Sequence, residues 1–248
     1  MTSNTPAPPL LLVAGHWLGA WAWAWDDVVA ELTARGLAAT ALTLPGLDAA
    51  DPDRASRTLD DQVTALRETA TACGAPVIIA AHSGANAPVS ILMDRHPGLV
   101  ARVVWVDSGP ATPGASFSPD FPEDAADLPL PEFAVLAEQA SLEGIGAADL
   151  ERFRAMAVPQ PGPVLREPVL LTNATRYAVP STFVCCSISS EQVQQLVQAG
   201  HPMFADVAHF TRVDYVDLPT GHWPMWSRPA ELAEIIGKAM TPAPHPTA

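Results

Sequence analysis

The stretch "VIIAAHSGANAPV", residues 77–89, decides the fold, because an apolar strand-forming run ends at a serine and continues as a helix. The pattern predicts a buried strand over 76–83 and a helix directly after it. The small residues Ala81 and Ala85 allow a sharp turn from strand to helix. Such a turn holds Ser83 on a tight elbow with an exposed hydroxyl, although an ordinary serine helix cap fits this pentapeptide as well.

Apolar runs and helix-like segments alternate on both sides of this stretch. The predicted strands are 10–14, 38–45, 76–83, 101–108, 181–187 and 211–219, and the predicted helices are 26–35, 63–73, 84–96, 131–140, 147–156, 191–200 and 229–240. Continuous apolar strands that alternate with helices indicate a mostly parallel sheet with helices on both faces. The alternation stops after the fourth strand, so we expect one α/β domain over 1–248 with a helical lid inserted at about 110–178.

Composition limits the partners of this chain. It has 248 residues and a formal net charge of −14, which disfavours nucleic acid and anionic membranes as partners, since both are negative. The apolar runs are strand-length and the N-terminus lacks a signal-peptide pattern, so we expect no membrane span and a cytoplasmic location. Cys73, Cys185 and Cys186 have neither disulfide-framework nor metal-ligand spacing, so we expect neither a disulfide nor a metal site.

Two further segments provide candidates for the general base and the oxyanion hole that a nucleophilic serine requires. His222 lies between the last strand and the last helix and follows the serine in the chain, which favours it as a general base over a packed loop histidine. The segment "LLLVAGHWLGAW" (10–21) is a strand followed by a Gly/Trp loop. We predict that the backbone N–H groups of His16 and Gly84 form an oxyanion hole, where the negative charge of a tetrahedral intermediate develops.

Together these segments resemble the α/β-hydrolase fold superfamily, in particular its small esterase and hydroxynitrile-lyase-like branch. The motifs that carry the resemblance are "LLVAGHWLGAWAW" (11–23), "AAHSGA" (80–85), "VVWVDS" (103–108) and "GHWPMWSRPAEL" (221–232). The resemblance covers roughly 10–240 and implies the fold and a serine–histidine pair, but no particular substrate. The departures are Ala14, where a histidine is common, and alanines on both sides of the elbow, where glycines are usual.

The third member of the predicted triad is a carboxylate that orients the histidine. In most of this superfamily it follows the strand after the lid, where this chain has serines and then Glu191. Asp107 ends the strand next to the serine strand and resembles the acid of certain lactonases and cofactor-free dioxygenases, so we favour Asp107 over Glu191. An aspartate there can also be a structural cap. The weaker alternatives are Asp206, Asp214 and Asp217.

Aromatic residues near these loops indicate the substrate. Trp17, Trp21, Trp223 and Phe133 are predicted to line an apolar pocket. The expected function is a cofactor-free serine hydrolase that cleaves small to medium, neutral, apolar or aromatic esters or lactones through an acyl-enzyme. The alternatives are a cofactor-free dioxygenase or a lyase on the same scaffold, or a non-catalytic small-ligand receptor. A lyase would resemble relatives with an active-site lysine, and Lys238 lies on the closing helix. The sequence does not decide between a monomer and a homodimer.

Overall fold

The computed structural model describes residues 7–19 and 23–240. Its strands are β1 Leu10–Val13, β2 Ala39–Leu42, β3 Val77–His82, β4 Val100–Val106, β5 Asp127–Leu128, β6 Gln160–Pro161, β7 Ser181–Cys185 and β8 Val213–Asp217. Its α-helices are α1 Asp26–Ala34, α2 Leu59–Ala72, α3 Asn86–Arg95, α4 Phe133–Leu136, α5 Ala147–Met156, α6 Gly162–Arg166, α7 Ser190–Gln198, α8 Pro224–Ser227 and α9 Pro229–Ala239. Every predicted strand is present, with slightly different ends.

Six of the strands form a single sheet in the order β2-β1-β3-β4-β7-β8, and all neighbouring pairs are parallel. The predicted α/β fold with a parallel sheet is therefore confirmed. Parallel strands end at the same edge of a sheet, and ligands of such sheets bind there. The segments that follow β1, β3, β4 and β8 therefore meet at one edge.

The interior strand β1 shows how the sheet joins two layers of helices. Leu10 and Leu12 pack with residues of α1 and α9, whereas Leu11 and Val13 pack with residues of α2 and α3. Successive side chains of a strand point to opposite faces, so an all-apolar run is what a doubly covered strand requires. Burying each such side chain stabilises the fold by about 1.5–3 kcal/mol. In the described part of the chain, no helix has the length and apolarity needed to cross a membrane.

The segment between β4 and β7, residues 109–180, is here called the insert. It carries α4, α5 and α6 together with the two-stranded antiparallel ribbon β5-β6. Helix α5 has the predicted bounds, whereas α4 is shorter than the predicted 131–140, and the ribbon and α6 were not predicted. The regular part of α4 ends at Leu136, and only irregular turns follow as far as Ala140. A lid function of the insert, and a single domain over 1–248, stay predictions.

Candidate active site

Three strained turns meet at the carboxyl edge of the sheet. Among the described residues, the non-glycine residues with positive φ are Trp17 (62°), Ser83 (51°) and Asp107 (43°). Ser83 directly follows β3, Asp107 directly follows β4, and Trp17 lies in the loop after β1. Such backbone conformations cost about 1–3 kcal/mol each and cluster at functional sites. Their convergence marks this edge as the candidate site.

The structure joins the three predicted triad residues by two hydrogen bonds. The Ser83 hydroxyl lies 2.8 Å from Nε2 of His222, and Nδ1 of the same ring lies 2.6 Å from Oδ2 of Asp107. With the ring proton on Nδ1, His222 donates to the carboxylate and accepts the serine O–H through Nε2. This geometry suits the transfer of a proton from serine to histidine. The catalytic roles of the three residues stay predictions.

The end of β7 surrounds the Asp107 carboxylate with donors. Its Oδ1 accepts the backbone N–H groups of Cys186 at 3.1 Å and Ser187 at 2.9 Å, and its Oδ2 accepts the Ser187 hydroxyl at 2.7 Å. Burial alone would raise the pKa of Asp107, but the hydrogen bonds from His222 and Ser187 outweigh it and hold the pKa below its ordinary value. Asp107 is therefore a carboxylate at neutral pH.

The alternative acids are engaged elsewhere. Glu191, on the first turn of α7, accepts a hydrogen bond from the side chain of Gln195. The other three candidates each have a partner away from His222. Asp206 pairs with Arg176, Asp214 pairs with Arg102, and Asp217 accepts from Ser190. Asp107 is thus the candidate acid that the structure brings to the histidine.

The backbone around His222 is held by the insert. The His222 N–H donates to the carbonyl of Ser141 at 2.7 Å, and the Gly221 N–H donates to the carbonyl of Glu143 at 3.1 Å. A side chain at Gly221 would place its Cβ about 2.5–2.7 Å from backbone atoms of Ser141 and Glu143, so only glycine permits this approach. The insert therefore fixes the loop that carries the histidine.

The loop after β1 packs against the elbow backbone to backbone. A Cβ at Gly15 would lie 2.8 Å from the backbone N of Gly84, so this position also requires glycine. The next residue is His16, and the oxyanion-hole role of its N–H and of the Gly84 N–H stays a prediction. Trp17 then ties the loop to the insert, because its carbonyl accepts from Val158 N–H and its Nε1–H donates to Leu128 O, both at 3.0 Å.

The imidazole of His16 reaches the elbow as well, although sequence analysis emphasised its backbone. The ring packs directly on Gly84 and leaves no room for a side chain there. It also contacts the Phe117 ring edge to face, with centroids 4.2 Å apart. Burial, and then the nearby His222, lower the pKa of His16 to about 4, so the ring is neutral at pH 7. The sequence signal for this contact of the ring was the position of His16 in the loop after β1.

The family model described as "Alpha/beta hydrolase family" matches residues 10–235. The chain belongs to the alpha/beta hydrolase family. Esterase PIR7B of rice, Oryza sativa subsp. japonica, is 26% identical over 270 residues, which cover 95% of this chain and 97% of that protein. An esterase thus stands among the relatives of this hydrolase, and the predicted resemblance to an esterase-like branch is confirmed.

Solved structures share the fold of this hydrolase. An extracellular alpha/beta-hydrolase from a Paenibacillus species, described as structurally and functionally homologous to tobacco Salicylic Acid Binding Protein 2, has a TM-score of 0.72 at 20% identity over 94% of this chain and 98% of that one. The methylesterase MES16 from Arabidopsis has a TM-score of 0.70 at 16% identity, with the same coverage of both chains. At these identities the likeness extends to the fold alone.

The four predicted pocket residues have different positions. Trp223 contacts the His222 ring edge to face, with centroids 4.8 Å apart, but only 2% of it is exposed. Trp17 is also buried, and Phe133 packs in the insert against Phe153 with centroids 5.9 Å apart. Trp21 lies outside the described residues. Trp223 is therefore the predicted pocket residue that touches the histidine, and pocket roles for all four stay predictions.

The two buried histidines beside the elbow make the hydrolase less stable in acid. The pKa of His16 is about 4 and that of His82 about 3 in the folded state, because burial disfavours their charged forms. In the unfolded chain a histidine titrates near its ordinary value of about 6.5. The unfolded state therefore binds more protons below that value, and stability that is present above pH 6.5 is lost as the pH falls.

We expect the free energy of unfolding to drop by about 4 kcal/mol between pH 7 and pH 5, or about 2 kcal/mol for each histidine. Urea denaturation at the two pH values measures this drop. In a His16→Phe variant the drop should be about half as large. A free energy of unfolding that stays constant from pH 7 to pH 5 would contradict the assignment of two neutral buried rings.

Proposed function

We propose that this hydrolase cleaves small to medium, neutral, apolar or aromatic carboxylic esters or lactones through an acyl-enzyme on Ser83. The observation that carries the proposal is the unbroken hydrogen-bond chain from the Ser83 hydroxyl through His222 to the Asp107 carboxylate, with distances of 2.8 and 2.6 Å. The name of the rice relative, an esterase, supports the same class of reaction.

The proposed mechanism follows from the atoms that face each other. Ser83 Oγ attacks the carbonyl carbon while Nε2 of His222 takes its proton, and the same proton then goes to the leaving alkoxide. Asp107 keeps the other ring proton on Nδ1 and stabilises the imidazolium. The N–H groups of His16 and Gly84 stabilise the oxyanion. A water molecule, deprotonated by His222, then releases the acid and restores Ser83.

The surroundings of the histidine support a neutral, apolar substrate. The Trp223 ring lies edge to face against His222, and the Phe117 ring, which is 55% exposed, lies against His16. The His16 ring is neutral, and the carboxylate of Asp107 already accepts hydrogen bonds from four donors. The net charge of −14 further disfavours an anionic substrate.

A fluorophosphonate probe and a panel of p-nitrophenyl esters and lactones test the proposal. We expect one equivalent of probe on the peptide that contains Ser83, and turnover of apolar and aromatic esters with loss of turnover after labelling. Absence of both labelling and turnover would instead support a ligand receptor. Oxygen uptake with an N-heteroaromatic substrate would instead indicate a dioxygenase, and release of cyanide from a cyanohydrin would indicate a lyase.

A further inference from the structure

His82, the last residue of β3, has no part in the proposed mechanism although it directly precedes Ser83. Its side chain is 1% exposed, and its Nε2 lies 2.7 Å from the backbone carbonyl oxygen of His222. A carbonyl oxygen only accepts hydrogen bonds, so the ring proton of His82 must be on Nε2. The other ring nitrogen, Nδ1, is buried and has no hydrogen-bond partner among the described residues.

The His82 ring has one proton to donate at neutral pH. Burial, and then the neighbouring His222, lower the pKa of His82 to about 3, so the ring is neutral at pH 7. A neutral imidazole has a single N–H, and here that N–H is committed to the His222 carbonyl. The His82 and His222 rings are also packed together, with centroids 4.8 Å apart.

We propose that His82 is a positioning residue that fixes the backbone of His222 relative to Ser83. The inference rests on the proposed function, in which these two residues are base and nucleophile. The His222 backbone is held from two sides, because its N–H donates to Ser141 in the insert and its carbonyl accepts from His82 in the sheet. The second bond starts one residue from Ser83, so it links base and nucleophile through one rigid strand end.

Misplacement of the base explains why this link matters for rate. Proton transfer requires the serine oxygen and the imidazole nitrogen within hydrogen-bond reach, and an error of about 1 Å can cost about 100-fold in rate. Without the donor on His82, the part-buried carbonyl of His222 also loses this hydrogen bond. We expect the loss in kcat rather than in KM, since the His82 side chain is only 1% exposed and so does not face the substrate.

Two amide variants separate the position of the donor from side-chain polarity. In His82→Gln the amide nitrogen can occupy the place of the imidazole Nε2, whereas in His82→Asn it reaches only the place of Nδ1. We expect His82→Gln to keep kcat within about 3-fold of wild type and His82→Asn to lose about 10- to 100-fold, with KM changed less than about 2-fold in both. Equal kcat values in the two variants would overturn the proposal.

Proton NMR provides a readout that a purely structural role would not change. The short Nδ1–H bond from His222 to Asp107 should give a low-field resonance in wild type and in His82→Gln, and a shifted or exchange-broadened one in His82→Asn. Histidine labelled with ¹⁵N in the wild-type protein should show His82 as the Nε2–H tautomer with a slowly exchanging proton. The opposite tautomer, or rapid exchange of that proton, would overturn the proposal even if a variant fails to fold. None of these resonances requires hydrolysis, so failure of the proposed function would be seen separately.

Discussion

Replacing Ser83 by alanine should lower kcat for ester hydrolysis by about 10⁴- to 10⁶-fold, because it removes the atom that forms the acyl-enzyme. The residue has φ of 51°, and serine and alanine meet the same backbone strain there, so the fold should not change. The measurement is kcat on the best p-nitrophenyl ester of the panel, together with the thermal unfolding midpoint. We expect the midpoint to stay within a few degrees of that of the wild-type protein.

Ser108→Ala is the matched control for this experiment. Ser108 is a partly buried serine beside Asp107, and its hydroxyl donates to the carbonyl of Ala81 at 3.2 Å. It has no place in the proposed mechanism, so its variant should keep kcat within about 3-fold. A Ser83→Ala protein that keeps more than a few per cent of wild-type kcat would contradict the acyl-enzyme, and an equal loss in Ser108→Ala would point to general damage at this edge.

The sheet and the elbow could be predicted from the sequence because their signals are local. The strand that ends at His82 is apolar at every position from 77 to 81, and both of its faces are buried under helices, as the pattern requires. The strand-to-helix change around Ser83 falls within a few residues of one small-residue motif. The approach of His222 to this serine followed from chain order, since both residues follow parallel strands that end at one edge.

The contacts that the insert makes could not be predicted in this way. The bond from Trp17 to Leu128 joins residues 111 positions apart. The bonds from the histidine loop to Ser141 and Glu143 involve backbone atoms, which any residue type supplies. The ribbon β5-β6 has strands of two residues each, too short to show any periodicity. In the sequence, His82 is simply one more strand residue, and its hydrogen bond to the His222 backbone becomes apparent only from the structure.

The choice between Asp107 and Glu191 could be predicted only in part from the sequence. Chain order allowed both residues to reach the histidine, and the serines after β7 argued only that the usual position was empty. The structure adds the reason why that position can do without an acid. Ser187 and its neighbour Cys186 donate three hydrogen bonds to Asp107, so the end of β7 supports a carboxylate that comes from β4.

That arrangement gives Asp107→Asn a large expected effect. The backbone N–H groups of Cys186 and Ser187 both point at Oδ1, so the asparagine must put its oxygen there and its NH₂ group toward His222. An NH₂ group can only donate, which forces the proton of His222 from Nδ1 to Nε2. Nε2 then has no lone pair to accept the proton of Ser83. We expect kcat to fall by about 10³- to 10⁴-fold, as for a triad with the wrong tautomer.

The fold should tolerate this change, because asparagine is among the residues that best accept the positive φ of 43° at position 107. Glu191→Gln is the matched control, since it makes the same change of charge at the rival acid and should leave kcat within about 2-fold. Both variants are measured on the same ester, with NMR of the His222 ring to report its tautomer. If Glu191→Gln loses activity and Asp107→Asn keeps it, the acid that works with His222 is not the one bonded to it at 2.6 Å.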